Sequence, residues 1–142
     1  MKKLNVAFIL CMLALLIVFS FAGCDTADIK VGEENGVAYF HNSTITPKMV
    51  LIGEEDKEIE DEYFFGNLIT AIEGKPVIAE SDCNCLARYT VVIKQYHFSM
   101  HSHGIEILEY ANNGRKYINY IGRVECTQEE MGKLFAVLEN VE

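Results

Sequence analysis

The chain has 142 residues, half of them hydrophobic, and 12 Lys and Arg against 21 Asp and Glu leave a net charge of -9. That acidic balance argues against nucleic acid, whose phosphates need a basic face, and against a polybasic grip on anionic lipid. The length suits one domain with a modest core, and no internal repeat or low-complexity segment interrupts it.

Lys2 and Lys3 open the chain, and Leu4 to Phe21 is almost wholly apolar, broken only by Asn5 and Ser20. Ala22 and Gly23 then precede Cys24, after which Asp25, Thr26, Asp28 and Lys30 turn the chain polar. A positive start, an apolar run and a small-residue exit are the three parts of a secretory signal. The stretch Phe21-Ala22-Gly23-Cys24 resembles the lipobox of bacterial lipoproteins, with Phe where that family most often has Leu. The resemblance implies that residues 1–23 are a signal peptide removed by cleavage. It also implies that Cys24 takes a diacylglyceryl thioether and that its new amine is open to acylation. An apolar run of about 20 residues also suffices to span a bilayer, so an uncleaved membrane helix is the competing reading. In both, the positive end stays in the cytoplasm and the remainder is exported.

Loss of Lys2 and Lys3 with the leader takes the charge from -9 to about -11. Attachment to the membrane then rests on the acyl chains at Cys24. With Cys11 in the leader and Cys24 lipidated, Cys83, Cys85 and Cys126 are left in a compartment where disulfides form. Three thiols permit one internal bridge at most. Pairing of Cys83 with Cys85 strains the bond geometry, whereas a bridge from either to Cys126 closes a loop of about 40 residues, worth roughly 4 kcal/mol in the chain-entropy model.

Residues 24–36 are polar, with Gly32, Glu33, Glu34, Asn35 and Gly36, and read as a flexible tether. Residues 37–142 are expected to form a single α+β domain. Val37 to Phe40 and Lys48 to Ile52 are short strand candidates. Seven acidic residues fall between Glu54 and Glu62. They lack the spacing and central Gly of a helix–loop–helix calcium site and instead favour the dipole of the helix they introduce. In that helix Phe65, Leu68, Ile69 and Ile72 recur at i, i+3, i+4 and i+7, and Gly74 with Pro76 ends it. Ser81 to Cys85 is a polar loop. Arg88 to Ser99 is rich in β-branched and aromatic residues and reads as one strand. His101 to Gly104 reads as its turn, Gly104 to Tyr110 as the return strand, Asn112-Asn113-Gly114 as a second turn, and Lys116 to Glu125 as a third strand. Thr127-Gln128-Glu129-Glu130 is a capping box that starts a helix with an apolar stripe of Met131, Leu134, Phe135, Leu138 and Val141. The expectation is an α+β fold with an antiparallel meander sheet of three to five strands packed against two helices.

Chemistry-bearing residues gather in two groups. Cys83, Cys85, His97, His101 and His103 offer thiolate and imidazole ligands for zinc or copper, with Met100 as a soft sulfur. Against this, Cys-x-Cys is not the usual structural zinc spacing, and paired histidines at a hairpin tip are common on surfaces. Otherwise the chain requires no cofactor. Tyr89, Tyr96, Tyr110, Tyr117 and Tyr120 lie on the expected sheet, where those facing away from the helices would offer an amphipathic surface to a partner. No Gly-rich phosphate loop, Gly-x-Ser-x-Gly or His-Glu-x-x-His occurs, and Glu106 and Glu109 have opposite strand parity. The reading is a non-enzymatic lipoprotein that faces outside the cytoplasm and binds a protein or peptide of the cell envelope; metal handling is its alternative. The full chain expressed in a bacterium with labelled palmitate tests the anchor. Lipidation predicts label on the wild type, none on Cys24→Ser, and a mature mass lacking residues 1–23. An unlabelled chain of full mass would instead establish the membrane helix.

Overall fold

An Asn-Gly pair sets the start of the fold. The computed structural model describes residues 28–42, 45–79, 86–111 and 116–141; the leader, Cys24, Cys83, Cys85 and the Asn112-Asn113-Gly114 turn lie outside them. Asn35 and Gly36 take φ values of 55° and 80°, the left-handed conformations that a two-residue hairpin turn demands and that Asn and Gly adopt most readily. They join β1 (Ile29–Glu34) to β2 (Val37–Asn42), which pair antiparallel from Glu34↔Val37 to Ile29↔Asn42. The 24–36 segment is therefore no tether from Ile29 onward. Ile29 and Val31 on β1 and Ala38 and Phe40 on β2 are buried in the core, and alternation with polar neighbours is what gives a two-stranded ribbon its packed face.

Among the described residues seven further strands form one antiparallel sheet, more than the three to five expected. They are β3 (Met49–Ile52), β4 (Lys57–Ile59), β5 (Val77–Ile78), β6 (Tyr89–Ile93), β7 (Tyr96–His101), β8 (Gly104–Ala111) and β9 (Lys116–Glu125), in the order β4-β3-β6-β7-β8-β9-β5. Among the same residues two helices complete an α+β fold: α1 (Glu62–Ile72) and α2 (Gln128–Leu138). The expected single strand from Arg88 to Ser99 is broken at Lys94-Gln95, where Lys94 takes φ 55° and Ile93 faces Tyr96. Ser102 and His103 turn β7 into β8, as expected.

The sheet buries one face. Val91, Ile93, Phe98, Met100, Ile105, Ile107 and Val124 alternate inward to meet Phe64, Phe65, Leu68 and Ile72 of α1 and Met131, Leu134 and Leu138 of α2. The hairpin closes the end of this layer: the Phe40 ring stands edge-on to Phe65 at 5.7 Å and parallel to Phe98 at 5.9 Å. Backbone bonds stitch β2 to the chain entering β5, with Ala38 N–H donating to the Lys75 carbonyl at 2.8 Å and Val77 N–H to the Gly36 carbonyl at 2.9 Å. Gly122, at φ 147°, lies where a Cβ would come 2.1 Å from Val77 Cγ1, so β5 pairs with β9 only because that atom is missing.

Helix starts obey their local signals. Asp61 caps α1, its carboxylate accepting from Phe64 N–H at 2.6 Å. At α2, Thr127 Oγ1 accepts from Glu130 N–H at 3.2 Å while the Glu130 carboxylate accepts from Thr127 N–H at 2.8 Å. The same carboxylate pairs with Lys75. Burial alone would raise the Glu130 pKa, but the bonds from Lys75 and Thr127 outweigh it and hold the group below the ordinary carboxylate range. A depressed folded-state pKa stabilises fully above the unfolded value of about 4.3 and loses that contribution as pH falls through the folded value. Thr127→Ala should cost about 1 kcal/mol in urea unfolding at neutral pH. Glu130→Gln should be destabilising at neutral pH and approach the wild type near pH 3; a penalty that does not shrink in acid would contradict the paired cap.

Candidate functional site: the sheet face opposite the helices

Opposite the helices, the sheet presents a second face built by strand alternation. Thr90 and Val92 on β6, His97 and Ser99 on β7, and Glu106, Leu108 and Tyr110 on β8 are all partly exposed, whereas Tyr89, Val91, Ile93, Tyr96, Phe98, Ile105 and Ile107 between and beside them are buried in the core. The register aligns them in rows: Thr90–Ser99–Glu106–Arg123 is a polar row, and Val92–His97–Leu108–Tyr120 a mixed one beside it. Thr90 and Ser99 hydroxyls sit 3.5 Å apart, a cross-strand pair of the kind that helps fix register.

Two register shifts shape this surface. Between β8 and β9 the pairing slips at Ile107/Leu108 and again at Glu109/Tyr110. The shifts set Tyr117, Tyr120 and Arg123 opposite Tyr110, Leu108 and Glu106, although plain alternation would separate Tyr120 from the other two. Tyr110 is the centre of the aromatic part. Its ring stacks on His97 at 4.0 Å and meets Tyr117 edge-on at 5.8 Å, and Tyr117 is 52 % exposed. Burial against these neighbours lowers the His97 pKa below the ordinary imidazole value, which favours the neutral ring at neutral pH. Tyr89 and Tyr96 do not belong to this surface. At 6 % and 5 % exposed they face the core, Tyr89 against Phe135 at 5.7 Å. Their odd–even relation reverses across the Lys94-Gln95 turn, so both fall on the inner side.

The cysteine and histidine group does not converge among the described residues. His97 and His101 share a face of β7 but stand four residues, or about 13 Å, apart along it. His97 is engaged with Tyr110, His101 is 6 % exposed with Nε2 3.4 Å from a Glu106 carboxylate oxygen, and His103 is exposed in the turn. Met100 points to the opposite side, into the core. No set of three or more His, Cys, Asp or Glu among the described residues is placed to hold a metal ion. Cys83 and Cys85, the proposed sulfur ligands and disulfide candidates, lie outside those residues.

Cys126 is a free thiol, half-buried between α1 and β9, with Sγ 3.5 Å from the Ala71 carbonyl. Burial pushes its pKa up to about 11, with Glu130 adding to the rise and Lys75 and Arg123 opposing it. A thiol so shifted is a poor nucleophile. Sequence reasoning missed the polar row as a unit, although the parity of Thr90, Ser99 and Glu106 marks it once the turn at Lys94-Gln95 is placed.

No family model, curated protein or solved structure matches the chain. Among the described residues no helix is long and apolar enough to cross a membrane. Alkylation followed by peptide mass mapping checks the thiol. Cys126 should resist iodoacetamide at pH 8 in the folded chain and react fully after denaturation; rapid labelling of the folded chain would overturn its burial.

Proposed function

We propose that this protein is an exported, lipid-anchored, non-enzymatic module that binds a protein or peptide at the cell envelope through the sheet face opposite its helices. The observation that carries this reading is the cluster of Tyr110, Tyr117 and His97, three rings packed together on a face that neither helix covers. Rings already held by one another lose little freedom when a partner covers them, and tyrosine offers apolar area with a hydroxyl at its end. Val92 and Leu108 supply apolar surface beside the rings, and the Thr90–Ser99 row supplies hydrogen-bonding groups.

Face binding is favoured over addition of a strand to an edge. The outermost strands of the seven-stranded sheet, β4 and β5, have only three and two residues, and short edges resist further pairing. Anchoring follows from the lipobox-like stretch ending at Cys24, and the acidic body leaves the acyl chains as the membrane grip. Photo-crosslinking in intact cells tests the surface. A photoreactive phenylalanine analogue at Tyr117 should give a discrete covalent adduct, absent when the analogue replaces Glu139. Tyr110→Ala should cut its yield roughly tenfold. Equal adducts from both positions would sink the proposal.

A further inference from the structure

A cleft of about 450 Å³ lies at the seam between the hairpin and the sheet, where β1 meets β8 and β9. Glu33, Tyr39, Glu109, Asn119 and Tyr120 stand in its wall. Gly32 shapes it. A Cβ there would overlap the Tyr39 ring, so the missing side chain lets that ring cross β1 and line the cleft. Tyr96, 5 % exposed, feels both Tyr39 and Glu109. Burial pushes its pKa up, bonds from Val31 and Gln95 oppose the rise, and Glu109 and Tyr39 add to it. The phenol therefore stays neutral and contributes no charge.

The charge of the cleft rests on its two carboxylates. No Lys, Arg or His lines it, and neither Glu33 nor Glu109 has an ion pair among the described residues. Glu33 accepts from Gly36 N–H, a neutral donor that leaves its charge in place. A cleft lined by one sign of charge focuses the field and concentrates counter-ions. Size and lining then choose among cations. A calcium ion asks for about six to eight oxygen ligands, and no three of His, Cys, Asp or Glu among the described residues are placed to hold a metal. The volume is instead that of a small-molecule site, of order 300–1,000 Å³. Tyrosine faces attract an ammonium group, and the carboxylates match its charge.

We infer that the cleft between β1 and the β8–β9 pair binds a small organic ammonium ion. Tyr39 and Tyr120 pack against its alkyl groups, Glu33 and Glu109 balance its charge, and the Asn119 amide bonds a polar substituent. The site does not depend on the Tyr110, Tyr117 and His97 cluster.

The test is NMR titration of the isotopically labelled full chain in polyoxyethylene micelles with choline, with its uncharged carbon isostere dimethylbutanol, and with glucose. The expected result is saturable amide shifts centred on Gly32, Tyr39, Glu109 and Asn119 with choline, weakened by added salt. Dimethylbutanol should bind roughly tenfold more weakly, and glucose should cause no saturable shift. Glu109→Gln removes a charge without breaking an ion pair, so the fold should persist while choline affinity falls roughly tenfold. Tyr117→Ala should leave binding unchanged, which separates this site from the aromatic cluster. Shifts centred elsewhere, equal response to dimethylbutanol or glucose, tighter binding of a capped Gly-Lys-Gly peptide, or undiminished affinity in a folded Glu109→Gln chain would each overturn the inference.

Discussion

Phe40 is the piece on which the architecture closes. Its ring lies between Phe65 of α1 and Phe98 of β7, so one side chain ties the N-terminal hairpin, a helix and the central strand of the sheet. Burying such a ring contributes roughly 2–3 kcal/mol by area alone, with aromatic geometry adding to it. Without that contact the hairpin would be an isolated two-stranded ribbon, which is marginal in water. With it, β1 and β2 become a lid on the end of the helical layer, and the backbone bonds from Ala38 and Val77 hold the lid in register.

Covering by the hairpin and two helices falls on one side of the sheet, and the division between faces follows. Side chains of even and odd register go to different environments: Phe98 and Met100 into a fully buried core, His97 and Ser99 toward the outer face. The outer face carries the aromatic cluster and the polar row in adjacent bands. Bulges on β9 concentrate it further by setting Tyr117 opposite Tyr110 and Arg123 opposite Glu106. The partner-binding reading rests on this separation, since a face already covered has no surface to offer. At the helices, Asp61 and the Thr127–Glu130 box fix the starts of α1 and α2.

Elements whose signals are local were legible in the sequence. The Thr127 box, the apolar stripe of α2, the α1 stripe and the Gly74 stop each depend on residues within a turn or two of one another, and each appears where expected. The α+β class followed from them. The hairpin was hidden by composition: Gly32, Glu33, Glu34, Asn35 and Gly36 look like a solvated linker, while the informative signs were Ile29 and Val31 alternating before Asn-Gly. The break at Lys94-Gln95 carries no Gly, Pro or Asn, and only the tertiary pairing of Ile93 with Tyr96 reveals it. That single turn brings Tyr89 and Tyr96, which an unbroken strand would send to opposite faces, onto the same inner face. Of the expected partner surface, Tyr110 and Tyr117 were legible as aromatic strand positions, but their stacking with His97 depends on long-range register. The metal reading brought together residues by composition and parity, and distance along β7 separates His97 from His101.

Site-resolved hydrogen exchange of the full chain in micelles is the most direct test of this architecture. If Phe40 locks the hairpin into the core, amides of the β1–β2 ladder should be protected to a free energy approaching that of β7, and Phe40→Ala should release them first. Exchange of residues 29–34 at the rate of an unfolded chain in the wild type would contradict the account. The segment would then be the tether its composition suggests, and the end of the core would need another cover.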